Sequence, residues 1–277
     1  MADSIEKRAL QALQAEEEEV ARFLHDPSPK VIKSLLQNRA ISEQDVLVIA
    51  NRKNLSGEVL QSIGKDRRWA ESYPIRLALA KNPKTPLFVA ISTARALRLF
   101  DLAEICRSHF LPLTYRHKIE ALIMEKLPTM PLGVKKTLAK TASANVLFRM
   151  MKEGNREVTQ FCLGNPHLTE YPLYKIINGK DTPALTIRLM AEHPNWSNRP
   201  AIRFALVRNS HLALATCVEF LLGMRVTDLR ELYEDPSVPV TVKPYIHSEL
   251  MARGEDAEKA EEEDRVHEIE EELNANS

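Results

Sequence analysis

The sequence Leu79-Ala80-Lys81-Asn82-Pro83-Lys84-Thr85-Pro86 ends one apolar helical run and opens another, and it indicates the fold class of the chain. Related stretches occur at 163–169, 191–197 and 234–239, each with an apolar run, a turn with proline and a hydroxyl residue. Proline starts a helix far more readily than it continues one. Each stretch therefore separates two short helices, and the sequence predicts an internally repeated, all-helical fold.

Candidate helix starts recur along the chain, because Ser, Thr, Asp and Asn side chains accept hydrogen bonds from the free amides of a first helical turn. One series is Ser28, Ser56, Thr85, Thr114, Ser143, Thr169, Ser197 and Thr227. A second series is Ser42, Ser72, Asp101, Thr129, Asn155, Thr182, Ser210 and Ser237. Capping boxes are expected at Ser42 with Asp45 and at Asp101 with Glu104. Intervals of 26 to 30 residues in both series predict an α-solenoid of about eight short helix pairs, with a period near 28 residues.

The turn x-Asn-Pro-x-Thr-Pro, which follows Ile-Arg-Leu-Ala-Leu-Ala at 75–80, resembles the HEAT-like and leucine-rich-repeat-variant solenoids of bacteria. The resemblance covers roughly residues 27–250 and is degenerate at 110–143 and at Asn209-Ser210, which lacks the proline. It implies a right-handed superhelix with a concave binding face. It implies no shared catalytic residues, so it bears on fold more than on function.

Charge divides the chain into three expected segments. The predicted N-terminal capping helix, 1–26, carries seven acids and three bases, and the predicted solenoid, 27–252, carries 32 bases and 20 acids. Residues 253–277 carry eleven acids and three bases with few apolar residues, which predicts an acidic tail that is mobile or only partly helical. A near-neutral chain thus contains a basic body of net charge +12 and acidic ends.

Composition also indicates the cellular compartment and makes a membrane an unexpected partner. The cysteines Cys106, Cys162 and Cys217 are odd in number and widely spaced, which favours a reducing compartment over a disulfide framework. The start of the chain has no apolar signal core, and no run approaches the ~20 apolar residues of a membrane span. We therefore expect a cytoplasmic protein with no membrane partner; its oligomeric state is left open.

One cation lies near the end of each helix of the first series, with spacings of 26 to 30 residues. This basic ladder consists of Arg39, Arg68, Arg98, Lys126, Lys152, Lys180 and Arg208. Cations at helix C-termini complement the helix dipole, which explains the ladder without any ligand. Alternatively, the row forms an edge that binds nucleic acid or another polyanion. A third hypothesis is that the acidic tail competes internally for the basic body.

Motifs of activated chemistry are absent from the sequence, which has no phosphate-binding loop, HExxH, GxSxG or CxxC pair. Cys106, His109 and His117 have spacings that could serve a metal but lack a fourth ligand, so neither a metal nor a cofactor is predicted. Some HEAT-like solenoids are DNA glycosylases, so the resemblance leaves such an enzyme as a remote alternative, with Asp66 near Trp69, or Asp228, as the aspartate that this chemistry needs. The sequence favours a non-enzymatic scaffold that mediates protein–protein interaction, with polyanion binding as the alternative.

Overall fold

The computed structural model describes residues 2–253, and over this range the chain is all-helical without a strand, which confirms the predicted all-α class. The predicted acidic tail lies outside the described residues, except for Arg253. The α-helices are α1 (Ala2–Gln14), α2 (Glu17–Val20), α3 (Pro29–Gln37), α4 (Glu43–Asn51), α5 (Gly57–Lys65), α6 (Tyr73–Lys81), α7 (Leu87–Ala94), α8 (Leu99–Arg107), α9 (Leu113–Lys126), α10 (Leu132–Ala139), α11 (Ala144–Met151), α12 (Arg156–Leu163), α13 (Glu170–Ile177), α14 (Ala184–Glu192), α15 (Pro200–Val207), α16 (Leu214–Leu222), α17 (Val226–Glu234) and α18 (Lys243–Ala252). A single 3-10 turn, Leu127–Thr129, follows α9.

The chain divides into two compact units, Met1–Val146 and Leu147–Ser277. In the first unit, α1 packs on α3, and from α3 to α7 every helix contacts the helix two positions further along the chain. The second unit repeats this arrangement in the pairs α12 with α14, α13 with α15, and α16 with α18. The segment predicted as one capping helix, 1–26, contains two helices, α1 and α2.

The helices begin in two ways: some are capped by a polar side chain, and others start directly after a proline. Ser42 and Asp45 form the predicted capping box at α4, and Ser72 accepts a hydrogen bond from the Ile75 amide at α6. The capping box predicted at Asp101 is wrong, because α8 begins at Leu99 and Asp101 is its third residue. Four other helices begin directly after a proline and not at the threonine expected to cap them: Pro86, Pro112, Pro131 and Pro183. Three of these helices begin later than expected, whereas α9 begins earlier, with Thr114 as its second residue.

Thr182 shows why the threonine does not cap its helix. Its side chain is buried, and its Oγ1 donates a 2.5 Å hydrogen bond back to the Ile176 carbonyl oxygen of the preceding helix. The hydroxyl is therefore used to close the turn. The rigid φ angle of Pro183 then starts α14 without a side-chain acceptor, because proline has no amide hydrogen that needs one.

Side chains of later elements satisfy the free carbonyl groups at the ends of earlier ones. We call these side chains carbonyl clamps; the donor and the acceptor are 23 to 35 residues apart. In the first unit the clamps are Asn38 on Ala12 and Ala15, Arg52 on Leu24 and Asp26, Arg68 on Leu36 and Asn38, Asn82 on Ala50 and Arg52, and Tyr115 on Ala80. In the second unit they are Thr186 on Met151, Trp196 on Leu163, Asn209 on Ile177, and Arg253 on Leu221, Leu222 and Met224.

The carbonyl clamps explain the asparagine of the Asn-Pro turn. The Asn82 amide donates at 2.8 Å to two carbonyl oxygens at the end of α4, while its side-chain oxygen accepts from the Lys84 amide at 3.0 Å. Since Asn82 is buried, leaving any of these groups unpaired would be costly. The same side chain therefore ends α6, shapes the turn and holds α6 against α4.

Candidate functional site

A groove of about 240 Å³ crosses the C-terminal ends of α4, α6 and α8 in the first unit. These ends are neighbours because α4 packs on α6 and α6 packs on α8. The lining residues are Asn51, Lys53, Ala78, Lys81, Asn82, Pro83, Glu104, Ile105, Ser108 and Phe110. The groove is thus an open surface feature at the ends of three helices. Its lining residues are spread over sixty residues of sequence.

The groove combines an apolar floor with a polar rim. Ala78 and Ile105 are buried core residues that line it, and Pro83 adds an apolar ring. Across the rim, Lys81 and Glu104 form an ion pair of 2.7 Å between α6 and α8. Such a floor accepts an apolar group, and the charged rim would orient it.

Phe110 is the most exposed aromatic residue of the described chain, with 81% of its surface accessible to solvent. It lies in the turn between α8 and α9, and the Lys53 ammonium stands 5.1 Å from its ring centre. Within residues 2–253, no carboxylate lies within ion-pair distance of Lys53. Lys53 and Phe110 together form a cationic, aromatic end of the groove.

A second groove, of about 280 Å³, lies in the other unit between α14 and the start of α16. Its lining includes Leu185 and Leu212 and the charged or titratable side chains Arg188, Glu192 and His211, with no Phe, Tyr or Trp among the residues that line it. The groove at Phe110 is therefore the stronger candidate, because aromatic anchors contribute most of the binding energy at protein interfaces.

The basic ladder residues of the first unit have different environments. Arg68 donates to the carbonyl groups of Leu36 and Asn38 and is ion-paired with Asp66 at 2.7 Å, so it is a carbonyl clamp. Arg98 lies over the Tyr73 ring at 4.8 Å. The other two ladder cations of this unit, Arg39 after α3 and Lys126 at the end of α9, are exposed.

The ladder residues of the second unit are Lys152, Lys180 and Arg208. Lys152 lies over the Phe148 ring at 5.0 Å, and Lys180 is exposed in the turn after α13. Arg208 forms an ion pair of 2.5 Å with Asp235 and donates to Ser237 at 3.1 Å. Of the seven ladder cations, all of which the structure describes, Arg68 and Arg208 are the two in ion pairs.

The aspartates and tryptophans considered for enzymatic activity have partners within the fold. Hydrogen bonds from Arg68 lower the pKa of Asp66, and Asp228 is ion-paired with Arg225 at 2.8 Å. Trp196 is a carbonyl clamp. Trp69 lies against Arg68 with 5.1 Å between the guanidinium carbon and the ring centre. Each side chain thus has a structural role that does not involve a ligand.

The three cysteines are buried free thiols. Burial raises the pKa of Cys106 to about 12, and the negative charge of Glu120 adds to that effect. Burial likewise raises the pKa of Cys162 to about 12 and that of Cys217 to about 11. Over the described range, no cluster of three or more His, Cys, Asp and Glu side chains is arranged to hold a metal ion. None of the helices in this range is long and apolar enough to cross a membrane.

Sequence reasoning did not identify the groove, because Lys53 and Phe110 are 57 positions apart and neither belongs to a periodic series. The available signal was Phe110 itself, a large apolar residue inside a turn where polar residues are usual. Comparison with known proteins adds no further guide: no protein-family model, curated protein or solved structure matches the chain.

Proposed function

We propose that this protein is a non-enzymatic helical-repeat scaffold that binds a protein partner at the Phe110 groove. In this proposal, the helices from α3 to α18 form a solenoid of about eight helix pairs. Two observations support it within each unit. Helices that are two positions apart in the chain contact each other, and the carbonyl clamps join donors and acceptors that are 23 to 35 residues apart. A repeating scaffold of this kind offers an extended surface of consecutive helix ends.

The exposure of Phe110 is the observation that carries the proposal. A phenylalanine that is 81% accessible contributes little to the folded core, yet its ring forms one end of an apolar-floored groove. Covering this ring would remove apolar surface from water, at roughly 25 cal/mol per Å². The polar rim, with Lys81, Glu104 and Lys53, would then restrict which segments can be accommodated.

Selection from a random peptide library tests the proposal. The full chain is immobilised, and bound peptides are sequenced after several rounds at physiological salt. We expect the wild-type protein to enrich a related set of peptides and Phe110→Ala to bind them more than tenfold more weakly, since aromatic anchors typically contribute about 2 kcal/mol or more.

Phe88→Ala is the matched control. Phe88 is also exposed, at 58%, but lies at the start of α7 and does not line the groove. It should bind the selected peptides as the wild type does. Equal binding by the wild type and Phe110→Ala, with both proteins showing the same thermal unfolding, would refute the groove as the binding site.

Polyanion binding is the second candidate function, and the unpaired ladder cations favour it. Arg39, Arg98, Lys126, Lys152 and Lys180 form no ion pair with another described residue. A polyanion that contacted several of them would lose affinity steeply as salt rises. Binding of a labelled single-stranded oligonucleotide between 50 and 200 mM salt tests this candidate, and an affinity that changes little over that range would count against it.

A further inference from the structure

Resting on the proposed function, we infer that the Phe110 groove recognises an acidic peptide segment, with a large apolar side chain against Phe110 and a neighbouring carboxylate beside Lys53. The inference concerns the chemistry of the partner. It uses three observations: the contact between Lys53 and Phe110, the pairing of the other groove charges, and the charge of the surrounding unit.

Lys53 is the charge that remains available in the groove. Lys81 and Glu104 neutralise each other at 2.7 Å, whereas the Lys53 ammonium lies 5.1 Å from the Phe110 ring centre and forms no ion pair with a described residue. An ammonium over an aromatic face keeps much of its charge available to an anion. A carboxylate on a segment that covers Phe110 would therefore meet Lys53 directly.

The ends of α4, α6 and α8 carry partial negative charge, which by itself would favour a cationic ligand. This preference is weakened at α4, because the Asn82 amide already donates to the Ala50 and Arg52 carbonyl oxygens. At the end of α6 the Tyr115 hydroxyl likewise donates to a carbonyl oxygen, so the full charge of Lys53 opposes mainly the half charge at the end of α8, and the local balance favours an anion.

The surrounding unit reinforces the same preference. Residues 1–146 contain 23 Lys and Arg against 16 Asp and Glu, a net charge of +7. A field of this sign attracts acidic segments, increases their association rate and disfavours basic ones. A peptide that combines acidic residues with one large apolar residue would be attracted by the positive charge of the unit and would place its apolar side chain on the floor of the groove.

Two peptide pools of equal length test the inference. In both pools one position carries Leu, Phe or Trp; the flanking positions are drawn from Asp, Glu, Ser and Gly in one pool and from Lys, Arg, Ser and Gly in the other. At physiological salt, where the Debye length is about 8 Å, the full-length wild type should retain the acidic pool about tenfold more than the basic pool. Lys53→Glu should abolish or reverse this ratio.

Lys65→Glu is the control for overall charge, because Lys65 is an exposed lysine of the same unit that does not line the groove. It should leave the ratio between the pools unchanged. A ratio near one in the wild type, or an acidic preference that Lys53→Glu and Lys65→Glu reduce equally, would overturn the inference. If Phe110→Ala still reduced binding in that case, the proposed function would stand; if neither pool bound through Phe110, both would fail.

Discussion

Trp196 donates its indole Nε1 hydrogen to the carbonyl oxygen of Leu163 at 2.8 Å, across 33 residues of sequence. Leu163 is the last residue of α12, so its carbonyl group has no partner within the helix. The other tryptophan, Trp69, also lies in a turn after a helix, but its Nε1 is buried without a hydrogen-bond partner among the described residues. The two indoles therefore form a natural comparison.

The indole comparison predicts unequal effects of the same substitution. Trp196→Phe removes the donor from the Leu163 carbonyl and should lower the free energy of unfolding by about 2 kcal/mol. Trp69→Phe removes a donor that has no acceptor and should lower it by less than about 1 kcal/mol. Urea denaturation followed by circular dichroism measures both. Equal losses would contradict the role of Trp196 as a carbonyl clamp.

Asn82 should be much more sensitive to truncation than an exposed asparagine. Asn82→Ala leaves two carbonyl oxygens and the Lys84 amide without their partner, and we expect a loss of about 2–4 kcal/mol in the free energy of unfolding. Asn178→Ala is the control, because that side chain is exposed and bonds only the Tyr174 carbonyl oxygen within its own turn. Its loss should stay below about 0.5 kcal/mol, measured by urea denaturation.

Gly64 permits the close approach of α5 to α7. A Cβ atom at Gly64 would lie 2.6 Å from the Val89 Cγ1 atom, so Gly64→Ala should destabilise the protein by about 1–3 kcal/mol. In contrast, a Cβ atom at Gly133 in α10 would meet nothing within 4 Å. Gly133→Ala should be neutral or stabilise the protein by up to about 1 kcal/mol, because alanine favours the helix. Thermal unfolding of both variants would show opposite or clearly separated shifts.

The buried thiols predict a specific dependence on pH. Since the pKa values of Cys106 and Cys162 are raised to about 12 and that of Cys217 to about 11, the folded chain keeps these protons when the unfolded chain begins to lose them near pH 9. The stabilisation is complete below pH 9 and is lost as pH rises towards the folded values.

The reactivity of the three thiols is a second measure of their burial. At pH 8 no thiol should react with a disulfide reagent within minutes in the native protein, and all three should react in urea. Substituting all three cysteines by alanine should remove their contribution to the alkaline loss of stability. Rapid reaction of one thiol in the native protein would contradict its burial.

Removal of residues 254–277 should strengthen binding of acidic ligands. The expected cause is the loss of eleven acidic residues that compete for the basic body. We expect at least a threefold gain in affinity for the acidic peptide pool, measured by fluorescence anisotropy. A full-length variant with these Asp and Glu residues replaced by Asn and Gln separates charge from length and should show the same gain. Unchanged affinity in both variants would eliminate internal competition.

Helix content could be predicted because its signals are local. The capping box of Ser42 and Asp45 lies within one turn, and the structure contains it. The capping box expected at Asp101 and Glu104 is wrong, because the spacing of these two residues alone does not distinguish an N-cap residue from a residue inside the first turn of a helix. Instead, Asp101 accepts a hydrogen bond from the Tyr73 hydroxyl, a contact made across 28 residues that the sequence pattern does not contain.

The candidate site was less predictable for the same reason. The basic ladder was identified from its period, but periodicity could not reveal that Arg68 is a donor to the Leu36 and Asn38 carbonyls. Likewise, the Lys53–Phe110 contact depends on how helix ends are stacked, which local sequence does not specify. Long-range contacts between turns therefore determine the groove, whereas short-range patterns determine the helices.

The carbonyl clamps also determine where this protein can be shortened. A truncated version that ends after a clamped helix would lose the donor that follows about thirty positions later, and the end of that helix would face water or a neighbouring molecule with bare carbonyl groups. A shortened or lengthened version of the protein must therefore keep, for each clamped helix end, the side chain that donates to its carbonyl groups. For α16 that side chain is Arg253, whose guanidinium donates to the carbonyl oxygens of Leu221, Leu222 and Met224.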